Sequence, residues 1–208
     1  MKRLFAASAL ALVSLSASAE GLYLGVGAGY NRVDNNTAEF DAGLRAALGG
    51  TVSSTADSTV TNIRLIGGYK VNENLAVELG FVNSSDYSLS FSGRSSGVNY
   101  SGEGSVSFRG FDVSTVIRPS VTSGFNNLFG VVGIHNYRAK TEVIATVSGR
   151  SVSSSDSQSG TGLMFGVGYD MKLSDKLDFR LSLIRFSRLA GDSESFTTNA
   201  GAALLFRL

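Results

Sequence analysis

Apolar and polar residues alternate with a period of two along most of this chain, and no stretch reaches the 18 or so continuous apolar residues of a membrane-crossing helix. Strands must therefore carry the fold. From position 22, Leu22, Leu24, Val26, Ala28 and Tyr30 share one face, while Tyr23, Gly25, Gly27 and Gly29 share the other. Thr61, Ile63, Leu65, Gly67, Tyr69 and Val71 likewise oppose Asn62, Arg64, Ile66, Gly68 and Lys70. After the turn residues Asn72, Glu73 and Asn74, Leu75, Val77, Leu79 and Phe81 oppose Ala76, Glu78, Gly80 and Val82, which predicts a hairpin. A fourth strand sets Phe111, Val113, Thr115 and Ile117 against Asp112, Ser114, Val116 and Arg118, and stops at Pro119.

The fifth stretch, Leu128 to Arg138, is apolar on both faces. Leu128, Val132 and Ile134 are assigned outward there, and the parity of the strand holding His135 stays open. The sixth opposes Leu163, Phe165, Val167, Tyr169 and Met171 to Met164, Gly166, Gly168, Asp170 and Lys172. The seventh opposes Leu177, Phe179, Leu181 and Leu183 to Asp178, Arg180 and Ser182, and the eighth runs from Phe196 to Leu208. Eight strands result. Their connections alternate in length. Those near 72–74, 119–127 and 174–176 are short, whereas 32–58, 84–104, 139–160 and 187–195 read as long loops rich in Ser, Gly, Asn and Asp. Within the first loop, Phe40, Leu44 and Leu48 fall at helical spacing ahead of Gly49 and Gly50. Leu89 and Phe91, with either Val98 and Tyr100 or Val106 and Phe108, fit a hairpin that extends the strands.

Composition narrows the chemistry. Lys+Arg number 18 and Asp+Glu 17 in 208 residues, so no positive surplus exists to hold nucleic acid. Without Cys there is no disulfide or thiolate zinc site, and one His leaves few metal or acid–base options. No cofactor and no metal site are expected. Charges in the first and third loops, among them Asp34, Glu39, Asp41, Asp57, Lys140, Glu142, Arg150 and Asp156, form no basic glycan-binding cluster loop by loop. The Gly-x-Gly runs 25–27 and 166–168 lie inside strands and not at strand-to-helix turns, which excludes a nucleotide loop. At the N-terminus, Lys2 and Arg3, the apolar run Leu4 to Leu15 and Ala17-Ser18-Ala19 form a cleavable export signal over residues 1–19. Residues 20–208 then form one domain in an envelope compartment.

Short and long connections in alternation describe an all-β, eight-stranded antiparallel up-and-down barrel, closed so that lipid meets no unpaired strand edge. The sign of the pattern decides the solvent. Charges at 64, 78, 170, 172 and 180 share the glycine-rich face, which fits a narrow interior where Gly25, Gly27, Gly166 and Gly168 leave room for charged side chains. The Leu, Val and Phe face then meets hydrocarbon, where an Arg or Lys costs about 2–4 kcal/mol at the midplane. Tyr30, Tyr69, Tyr169 and Phe206 fall near strand ends, as interfacial aromatics do.

The export signal, the Gly-Leu-Tyr-Leu-Gly-Val-Gly-Ala-Gly-Tyr opening (21–30), the Asn72 to Phe81 hairpin, Arg185-Phe186-Ser187-Arg188 and the terminal Phe206-Arg207-Leu208 resemble the outer-membrane β-barrel superfamily of OmpA-like transmembrane domains. Such barrels usually end in Phe; here the last residue is Leu208. The resemblance covers the barrel alone, with no peptidoglycan-binding domain expected after it. It implies residence in the bacterial outer membrane, insertion by the barrel assembly machinery, and contact with outer-membrane lipid and lipopolysaccharide.

Arg64, Glu78, Asp112 and Arg180 are the expected interior charge network, since buried charges must pair. That network serves either as a fixed plug or as a gate for a narrow diffusion channel. His135 is the sole candidate general base. A lipid-modifying enzyme of the lipid A deacylase kind carries His-x-Ser, and position 137 here is Tyr. The expected role is a monomeric, non-enzymatic scaffold presenting loops to a host or cell-surface ligand. A passive channel and a lipid-modifying enzyme are the alternatives.

Overall fold

A computed structural model describes residues 21–32, 37–119, 127–189 and 196–208. The expected leader, residues 1–19, lies outside the described residues, as does Asp34. Among the described residues, ten strands and one helix follow in order. They are β1 (Leu22–Arg32), α1 (Thr37–Leu48), β2 (Thr51–Ala56), β3 (Thr59–Lys70), β4 (Leu75–Ser84), β5 (Tyr87–Ser95), β6 (Val98–Ile117), β7 (Leu128–Val147), β8 (Arg150–Lys172), β9 (Leu177–Ser187) and β10 (Phe196–Arg207). No helix among these residues is long and apolar enough to cross a membrane.

Eight of the strands close into an antiparallel barrel. The ladder runs β6-β4-β3-β1-β10-β9-β8-β7, and the β6–β7 pairing shuts it. Strands β2 and β5 lie outside the ring, β2 paired with β5 and β5 with the far half of β6.

Side chains point as the alternation demands. Leu65, Leu79 and Leu181 are 52%, 54% and 46% exposed on the outer wall, while Glu78 and Arg180 inside are 1% and 3% exposed. A water-soluble barrel would show the reverse. His135 faces inward and is buried, and Leu128, Val132 and Ile134 face out. Interior Tyr23, Ile66, Val116, Phe129, Met164, Tyr137 and Leu205 form an apolar cluster around the charges. The four glycines expected to make room for charge instead admit apolar neighbours and close strands. A Cβ at Gly25 would overlap Leu205, one at Gly27 would press on Ala203, one at Gly168 would strike Phe129, and one at Gly166 would strike the β9 backbone. Room for a carboxylate comes from Gly80, where a Cβ would lie 2.5 to 2.7 Å from the Asp112 carboxyl atoms.

The segments 84–104 and 139–160 are largely strand. Ser96-Gly97 and Ser148-Gly149 are two-residue turns with φ of 49°, 83°, 50° and 77°, the doubly positive pattern that closes tight hairpins. Strands β6, β7 and β8 therefore reach 20, 20 and 23 residues, against about 9–11 needed to cross a bilayer. Their surplus carries the sheet beyond the barrel on the side of the long connections. Helix α1 forms as its spacing predicts, ends at Gly49 and Gly50 with φ of 70° and 80°, and rests Phe40 edge-on against Phe91 of β5 at 5.8 Å.

Candidate functional site: the barrel interior

Strand parity sends alternate residues of every stave toward the axis, so the polar ones must find partners there or remain costly. They assemble into two clusters. In the first, Glu78 of β4 accepts from the Tyr23 hydroxyl at 2.5 Å and from Arg180 Nη1 at 2.6 Å. Arg180 of β9 also grips Asp170 of β8 through Nε at 2.7 Å and Nη2 at 3.0 Å, a planar fork on a carboxylate. Arg118 donates to the same Asp170 at 2.6 Å. Two cations thus balance two anions. The Arg180 guanidinium also lies 4.5 Å from the centre of the Phe129 ring.

In the second cluster Arg64 of β3 pairs with Asp112 of β6, whose other oxygen accepts from the Tyr137 hydroxyl at 3.1 Å. The structure therefore places Arg64 with Asp112 and Glu78 with Arg180, in separate clusters. A cavity of about 30 Å³ is lined by Arg64, Glu78 and Arg180. On the outer side a vestibule of about 510 Å³ is walled by Val60, Val82, Phe108 and Phe186 and also touches Arg64 and Tyr137. Arg64 borders both spaces and so stands between them.

Asp170, Arg118, Tyr23 and Tyr137 complete the clusters. Strand parity alone places Asp170, Arg118 and Tyr23 inward; which cation meets which carboxylate depends on strand register across the closed ring. A further pair, Arg207 with Asp178 at 2.6 Å, sits at the short-turn rim.

His135 has the surroundings of a packing residue. Its Nε2 lies 2.8 Å from the Ser187 carbonyl, its ring stacks 4.5 Å from Tyr137, and Phe186 meets it edge-on. Among the described residues no hydroxyl or carboxylate side chain hydrogen-bonds the ring, and Nδ1 has no partner. No group of three or more His, Asp or Glu suited to a metal occurs among them either.

A family described as "Outer membrane protein beta-barrel domain" matches residues 4–203. The chain belongs to the outer membrane protein beta-barrel family. It is therefore a bacterial outer-membrane protein, and in such barrels short turns, here 71–74 and 173–176, lie on the periplasmic rim and the extended strands outside the cell. No curated protein matches the chain. Solved structures similar to it include three outer-membrane barrels. Neisserial surface protein A is 10% identical with a TM-score of 0.44, covering 90% of this chain and 97% of its own. Ail of Yersinia pestis is 14% identical with a TM-score of 0.45, covering 89% and 95%. The N-terminal barrel of Pseudomonas aeruginosa OprF is 12% identical with a TM-score of 0.38, covering 88% and 96%.

Proposed function

We propose that this outer-membrane barrel is a non-enzymatic scaffold that holds an extracellular β-sheet for docking a partner protein by strand addition. The observation that carries this is the sheet beyond the barrel. Outside the membrane the order β2-β5-β6-β7-β8 forms five strands with two ends. Strand β8 pairs with β7 over its whole outer half, but with β9 only from Met164 onward, so residues 150–161 have ladder partners on one side only. Helix α1 lies beside β2, which leaves β8 as the more open edge.

That edge carries no Pro or Lys, and its residues from Arg150 to Ser159 are exposed on both faces. Native proteins usually blunt such edges, because an unpaired row of N–H and C=O groups templates another strand. An extended peptide adds there through main-chain hydrogen bonds. The interior supports the same reading: paired charges and rings occupy its middle, which favours a fixed plug over a diffusion channel, and among the described residues His135 lacks the orienting groups of a general base.

Bacteria displaying the full chain are scored for retention on surfaces coated with fibronectin, laminin or collagen. Retention on at least one coating is expected, falling to background when Ser154→Pro and Ser155→Pro are introduced together while the unboiled protein still migrates as a folded band. Retention unchanged by the prolines, or absent on every coating, would overturn the proposal.

A further inference from the structure

On the outward face, directly above the lipid-facing band, the register brings together cations that lie far apart in sequence. Phe81 of β4 and Phe111 of β6 pack at 5.0 Å as the last large apolar layer. One step further out, Arg109 stands between Asn83 of β4 and Arg138 of β7 as their direct cross-strand partner. Lys140, opposite Ser107, is the next residue on the same face. Going outward along that face, β6 reads Phe111, Arg109, Ser107, Ser105 and Glu103; β7 reads Ile134, Asn136, Arg138, Lys140 and Glu142. The facing positions of β8 are Thr161, Ser159, Ser157 and Ser155. No carboxylate shares this face of the three strands until Glu142 and Glu103.

Like charges directly opposite on a sheet repel. Arg138 donates to Ser157 at 2.6 Å and Lys140 meets Glu142 at 2.6 Å, but Arg109 has no side-chain partner among the described residues. The cluster surrounds a surface cavity of about 410 Å³ lined by Asn83, Arg109, Arg138, Lys140, Ser155 and Ser157, with Asp156 bordering it from the other parity of β8. Two arginine forks and an ammonium around a hydroxyl-lined hollow suit a tetrahedral phosphate dianion, which accepts several charge-assisted hydrogen bonds at once. The height of the cluster identifies the phosphate's carrier. It follows directly on the Phe81–Phe111 layer that ends the apolar band of β4 and β6, the level at which headgroups succeed hydrocarbon on such a barrel.

We infer that Arg109, Arg138 and Lys140 form a binding site for a phosphoryl group of the outer-leaflet glycolipid, lipopolysaccharide. The site lies on the outer wall of β6 and β7 just beyond the lipid-facing band, and Ser155 and Ser157 of β8 contribute to its lining. Lipid neutralises the Arg109–Arg138 repulsion and fixes the depth of the barrel in the membrane.

The full chain, folded in a zwitterionic detergent, is titrated with bisphosphorylated lipid A, with dephosphorylated lipid A and with inorganic phosphate, and bound lipid is counted by native mass spectrometry. One bisphosphorylated lipid A per barrel is expected to bind at least about tenfold more tightly than the dephosphorylated form. R109Q/R138Q is expected to remove that preference, and R109K/R138K to retain part of it. Both variants replace exposed side chains, and a folded band without boiling checks each. Equal affinity for the two lipid forms, or an undiminished preference in R109Q/R138Q, would overturn the inference. So would inorganic phosphate displacing lipid A at comparable concentration, since the ligand would then be a free anion.

Discussion

Replacing Arg180 by methionine removes the one group among the described residues that hydrogen-bonds both Glu78 and Asp170. The two carboxylates are left unequally supported. Asp170 keeps Arg118 at 2.6 Å, whereas Glu78, 1% exposed, keeps the neutral Tyr23 hydroxyl. Breaking a buried pair from one side costs about 3–5 kcal/mol. The cavity of about 30 Å³ beside Glu78 admits a water or two, and with the Arg118 contact this sets the expected loss near the lower end, about 3 kcal/mol. A second substitution, Glu78→Gln, removes the stranded charge. R180M/E78Q should therefore regain at least about 1.5 kcal/mol over R180M alone, a coupling that independent sites do not show. The chain has no Trp, so the assay is urea unfolding in lipid vesicles followed by far-UV circular dichroism and by mobility of the unboiled protein. A loss below about 1 kcal/mol in R180M, or a double variant no more stable than the single, would refute the claim that this ion cluster organises the interior.

Two further outcomes separate the membrane reading from its competitors. Leu65→Arg, on the hydrocarbon-facing wall, should cost about 2–4 kcal/mol in the same vesicles, whereas Ser153→Arg on the outer sheet should stay within about 0.5 kcal/mol; equal effects would mean that Leu65 does not meet lipid. In planar bilayers the purified barrel should give no steady conductance, because Arg64 with Asp112 and Arg180 with Glu78 and Asp170 stand in sequence across its interior; discrete openings abolished by Arg64→Ala would favour a gated channel instead.

What the sequence discloses about this fold depends on how many environments each strand meets. Within the membrane a stave has hydrocarbon on one side and a crowded interior on the other, so β1, β3, β4 and β9 alternate and the sidedness of Arg64, Glu78 and Arg180 can be read directly. The outer halves of β6, β7 and β8 have water on both faces and no reason to alternate. Their Ser, Gly and Thr therefore look like loop until register pairs Val143 with Ser154 or Gly104 with Val143. The inner half of β7 hides its parity for the opposite reason. Phe129, Val131 and Tyr137 pack inside while Val132 and Ile134 meet lipid, so apolar residues occupy both faces and His135 gives no sign of its direction.

Partner choice is harder still, because it is a property of the closed ring. Arg180 and Glu78 are separated by 102 residues, and nothing local couples them. Arg109 and Arg138 show the same principle on the outer wall. Arg109 lies in one segment and Arg138 with Lys140 in another, and counting charge loop by loop therefore finds no basic cluster. Closing the β6–β7 seam makes them direct neighbours on the outer wall. A sheet that must seal itself against hydrocarbon fixes its register by burial of the inner face, and the outer-wall pairs follow from that register without further freedom. Two arginines placed opposite each other by that constraint repel unless an anion lies between them, and the lipid A titration tests whether a phosphoryl group supplies it.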